Sequence, residues 1–208
     1  MPFPTFFDAA PRLSVFDPLS AFLGATDGGL IDYGYADAVK LAGHSCPTVA
    51  GAYLMTVRGL RALYGAEPPV RGDVVVAFRA TETAGATGVM GRVAALLTGA
   101  AGEDGFKGIG GHFDRRGLLR FAAAIDGDMA LQRRDTGAGV QMRLDPAVVP
   151  SAEEVGRLLP RVLHGHADAD EARRFQALWQ DRVRRLLVDH ADDPALVTIT
   201  PWYGAPPA

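Results

Sequence analysis

Apolar residues recur along this chain in helical or strand-like runs between prolines and glycines, and that punctuation marks out its elements. Asp17-Pro18 places a capping carboxylate before a proline in the first helical turn, so a short helix is predicted over 19–23, closed by Gly24. Asp32 is read as the cap of a second helix from about Tyr33 to Ala42, ending at Gly43. Cys46-Pro47 repeats the cap-and-proline signal, and Val49, Ala52, Tyr53, Val57, Leu60 and Leu63 follow at helical spacing up to Gly65. Pro68-Pro69 breaks this pattern. The Val-rich run 73–80 then suits a strand buried in a sheet, and 85–97 returns to helix, with Gly88 and Gly91 implying close packing on one side.

From His112 onward the period changes. Strands are predicted at 118–125, 128–134 and 140–144, the last two joined by a turn at Asp135-Thr136-Gly137-Ala138-Gly139. Pro146 and Pro150 close this part. Ser151 with Glu154, and Asp168 with Glu171, carry the capping-box spacing for helices reaching about Leu163 and about His190. A short strand at 197–200 and a Pro-rich tail follow. The expectation is an α+β fold: a core of mixed helices and a mainly antiparallel sheet over residues 1–150, and a C-terminal helix pair, 151–208, packed on it.

Composition narrows the function. The chain has 208 residues, 48 % of them hydrophobic, with a mean hydropathy of +0.08, enough to bury a core rather than remain disordered. A net charge of −3 and a pI of 5.9 argue against a general nucleic-acid binder, which needs clustered cations to displace counterions. No apolar run approaches the roughly 18–20 residues that cross a bilayer, and residues 1–8 lack the basic start of a signal peptide. The one cysteine, Cys46, precludes an intramolecular disulfide or a Cys-rich zinc finger and fits a cytoplasmic location.

Gly43-His44-Ser45-Cys46-Pro47 carries the most chemistry. In an extended loop residues two apart project to one side, so His44 and Cys46 can address one point. Cys46 stands at a predicted helix N-terminus, where free N–H groups favour the thiolate. The pair suits a zinc, nickel or iron ion, an axial ligand of haem, or a cysteine nucleophile with His44 as base. The plainer reading is a small cysteine capping a helix. His112, at the end of the Gly-rich stretch 99–111, is a third candidate donor brought in by chain reversal. That stretch fails as a Walker A loop, because Lys107 is followed by Gly108 and Ile109, and as a dinucleotide fingerprint, because Phe113 stands where glycine is needed. His164-Gly165-His166-Ala167-Asp168 has the opening spacing of a binuclear zinc signature, but Ala169 replaces its next histidine, so an interhelical turn is expected. There is no Gly-x-Ser-x-Gly elbow.

The segment 43–47, followed by Gly51 and a helix, resembles the Gly-His-x-Cys-Pro signature of the E-subunit family of formylmethanofuran dehydrogenase. Leu97-Thr98-Gly99 is similar to that family's Leu-Thr-Gly-Cys-Thr stretch, Phe113-Asp114-Arg115-Arg116-Gly117 resembles its aromatic-x-Asp-x-Gly turn, and Arg134-Asp135-Thr136-Gly137 with Val140 its closing hairpin. The likeness spans residues 30–146. It implies an α+β core, a homodimer, and a metal-binding cleft lined by His44 and Cys46, holding zinc foremost, or nickel or iron, in a redox or accessory role beside a redox enzyme. Ala100 occupies the position of the family's second cysteine, its acidic residue has no counterpart near Arg92, and no zinc finger follows. The site so implied is open, completed by His, carboxylate, water or a second copy of the chain.

Overall fold

In a computed structural model describing residues 3–204, the local caps act largely where the sequence places them. Helix α1, Pro18–Leu23, is capped by the Asp17 carboxylate, which accepts from the Leu19 and Ser20 N–H groups at 3.0 and 3.1 Å, and it ends at Gly24 in a left-handed conformation. Helix α2, Tyr35–Ala42, begins later than expected. Asp32 belongs instead to strand β2, Leu30–Tyr33, and bonds Ser14 of strand β1, Leu13–Phe16, its antiparallel partner. The cap of α2 is Gly34, whose N–H donates to Asp37 at 3.0 Å. Helix α3, Pro47–Tyr64, starts at Cys46, whose Sγ accepts from the Val49 N–H at 3.5 Å.

A five-stranded sheet forms the centre, in the order β4-β3-β5-β6-β7. Its strands are β3 (Val74–Phe78), β4 (Leu119–Arg120), β5 (Met129–Arg133), β6 (Gly139–Leu144) and β7 (Val197–Pro201). Only β3 and β4 run parallel; the β5–β6 hairpin and the other pairs are antiparallel, so the fold is α+β. The expected strand 118–125 stops at Arg120, because Ala122 adopts φ 55°, outside the extended region. Helix α3 lies on β5 and β6. A methyl group on Gly59 would come within 2.8 Å of Leu131 Cδ1, and one on Gly51 would meet Leu144 closer still, so these glycines set the helix–sheet spacing. Helix α4, Thr87–Thr98, packs beside α3 and β3.

The C-terminal segment joins the same core. Helix α5, Glu153–Leu163, starts after Ala152 with no side-chain cap; Glu154 bonds Arg157 and Arg174 rather than closing a box with Ser151. Helix α6, Ala169–Arg184, carries both halves of the Asp168–Glu171 box and continues as a π-helical stretch, Arg185–Asp189, ending at His190. Val183, Leu186, Leu187, Leu196 and Val197 lie in one buried cluster with Tyr53 and Leu60 of α3. Of the Pro-rich tail, residues 205–208 fall outside the described residues. Among the described residues no helix is long and apolar enough to cross a membrane.

Candidate functional site

The 43–47 loop is short because two strong signals meet in it: Gly43, at φ 75°, ends α2, and Pro47 opens α3 four residues later. His44 is exposed, and its Nδ1 stands 2.9 Å from the Ala42 carbonyl oxygen. A carbonyl only accepts, so in the neutral ring Nδ1 carries the hydrogen and Nε2 keeps the lone pair. A metal-binding imidazole is commonly fixed this way, by a backbone acceptor on its other nitrogen. Cys46 is half-buried and is fixed by its capping bond.

Ser45 anchors the loop between them. Its hydroxyl lies 3.1 Å from the hydroxyl of the buried Tyr35, and its carbonyl accepts from Trp179 Nε1 at 3.1 Å and Gln180 Nε2 at 3.2 Å. Burial pushes the Tyr35 phenol well above its usual range, outweighing the Ser45 bond, so Tyr35 remains a neutral hydroxyl at ordinary pH. An open apolar groove of about 610 Å³ runs alongside, walled by Phe7, Val39, Leu163, Phe175 and Trp179, with Ser45 at its edge. Trp179 lies within the helix predicted from the Asp168–Glu171 box and belongs to no motif there. Its indole N–H and the Gln180 amide are supports of the loop that no local pattern signals, because their partner is a backbone carbonyl far away in the chain.

His112 lies elsewhere. It is exposed at a tight reversal where its backbone exchanges hydrogen bonds with Ile109 at 2.9 and 3.0 Å, and its ring neighbours Phe113. It does not complete a three-donor set with His44 and Cys46: among the described residues no group of three or more His, Cys, Asp or Glu side chains is placed to hold a metal ion. His164 and His166 occupy the turn between α5 and α6, as expected. His190 Nδ1 bonds Asp193 at 2.9 Å.

A second polar centre is legible in the sequence only as a helix cap. Asp17 is almost wholly buried and receives Arg71 Nη1 at 2.8 Å and Arg115 Nη2 at 2.7 and 2.9 Å. Burial raises its carboxyl, but the bonds from Arg71 and Arg115 outweigh that cost and hold it below the ordinary carboxylate value. Arg71 is in turn fixed on the Leu96 carbonyl at 3.1 and 3.3 Å, near the end of α4. One buried carboxylate thus ties α1, the segment leading into β3 and the 99–117 loop together.

No protein-family model matches the chain, and no curated protein matches it. Among solved structures, the chain is similar to a tungsten formylmethanofuran dehydrogenase FmdE-like protein from Syntrophus aciditrophicus, with 17% sequence identity and a TM-score of 0.43. That similarity covers 84% of this chain and 74% of the other.

Proposed function

We propose that the chain is a metal-binding protein of the FmdE-like kind, akin to the E-subunit family of formylmethanofuran dehydrogenase, holding one divalent transition metal at an open site on His44 and Cys46. One observation carries this reading: in the Gly-His-Ser-Cys-Pro segment, the Nδ1 bond to Ala42 leaves His44 Nε2 as the free donor, two residues from the only cysteine sulfur of the chain. Imidazole and thiolate together suit zinc first, and nickel or iron next. Two protein donors leave positions for water, a carboxylate, or a ligand from a second copy of the chain, and we read the chain as a homodimer that serves a redox enzyme in an accessory role. When bound, such an ion supplies Lewis acidity; the chain's own part is to fix the imidazole tautomer and to hold the sulfur at the helix end.

The test is elemental analysis and an absorption spectrum of the purified protein beside His44→Ala and Cys46→Ala. Metal near one equivalent in the parent, and a drop of at least tenfold in each variant, is expected. Equal metal in all three overturns the site, and an intense haem band lost in the variants replaces the metal by a porphyrin. Light scattering checks the dimer.

A further inference from the structure

A cavity of about 290 Å³ opens beside the Asp17 centre, and its lining includes Arg71, Arg115 and Arg134 together with the apolar Leu19, Val70 and Phe113. Its charge is unbalanced. Asp17, Arg71 and Arg115 are 4 %, 16 % and 13 % exposed, so two guanidiniums face one carboxylate in a region largely shielded from water. Leaving a net charge in such a place is costly unless something opposes it. The other charges on the lining do not. Asp114 is engaged by Arg116 at 2.6 and 3.0 Å, and Asp73 is matched by Arg134 at 3.6 Å. Arg115 Nε is buried with no partner, while Arg115 Nη1 makes no hydrogen bond among the described residues. Arg134, which also lines the cavity, is 44 % exposed, and among the described residues its side chain makes only the long ion pair with Asp73.

We propose that this cavity binds the oxyanion group of a small anionic molecule, with Arg115 and Arg134 as its cationic contacts and the apolar lining residues taking a short carbon skeleton. The Arg115 guanidinium is fixed on Asp17 before the ligand arrives, so little ordering of that contact is spent on binding. The volume is at the small end for ligand sites and admits an oxyanion with a few carbons.

Inorganic phosphate and, separately, acetate are titrated into the full-length protein at constant ionic strength, with the arginine Nε–H resonances as the readout. Saturable shifts at Arg115 and Arg134 are expected for at least one of them; phosphate alone identifies a phosphate group, and acetate as well a carboxylate. Arg134→Gln, at a half-exposed position, should weaken binding by about tenfold, as for loss of a hydrogen bond to a charged group. Arg115→Lys should weaken it too, whereas Arg79→Gln, paired with Asp128 outside the cavity, should leave it unchanged. No saturation, or equal weakening by Arg79→Gln, overturns the site.

Discussion

Single residues in this chain carry two duties at once, and Asp17 shows the consequence most directly. Its carboxylate caps α1 and also receives two arginines, so Asp17→Asn removes the charge that is paired with both Arg71 and Arg115. Breaking a buried ion pair from one side costs about 3–5 kcal/mol; urea unfolding should show a loss of that size. The sign of its pH dependence follows from the lowered carboxyl. Stability from Asp17 is complete above the unfolded value of about 4 and is lost as pH falls through the lower folded value. Acid unfolding of the parent below that point should therefore be steeper than that of Asp17→Asn. Trp179→Phe tests the loop support: losing one hydrogen bond to the Ser45 carbonyl should cost about 1 kcal/mol in urea unfolding, and it should raise the metal dissociation constant in a competition titration. An unchanged constant would separate Trp179 from the site.

At the level of elements, what is legible in the sequence is what local chemistry specifies. The starts of α1 and α3 and the α6 capping box rest on a cap and a proline or glutamate within a few residues, and each stands where that chemistry puts it. Strands β1 and β2 escape such a reading, because four residues with one inward face leave too short an alternation to outweigh an aspartate that mimics a cap. The early end of β4 depends on the backbone at Ala122, to which sequence pattern is blind. The candidate site divides in the same manner: His44 and Cys46 are visible as a motif, whereas Trp179 and Gln180 reach the loop only through the tertiary fold. The spacing of α3 over the sheet gives an element-scale prediction. On a free helix Gly→Ala gains nearly 1 kcal/mol, but Gly59→Ala meets Leu131 and Met142, and overpacking costs about 1–3 kcal/mol. The net expected outcome is a lower melting temperature by calorimetry; a higher one would show that Leu131 yields.

For the whole molecule, the decisive contacts join distant parts of the chain. Strand β7 completes the sheet beside β6, and the π-helical stretch after α6 buries Leu186 and Leu187 against α3. A chain ending at Pro150 would expose β6 as an edge and strip that side of α3. It should fail to show a cooperative thermal transition by circular dichroism; a fragment melting like the parent would make residues 1–150 a self-sufficient domain. The Ser45 carbonyl extends this dependence into time. Its two donors are made 134 and 135 residues after it. At about 5–20 residues per second, a ribosome takes on the order of ten seconds to reach them. Throughout that interval the His44–Cys46 loop emerges without its clamp, and the Ser45 carbonyl between the imidazole and the thiol finds its partners only once α6 has been made.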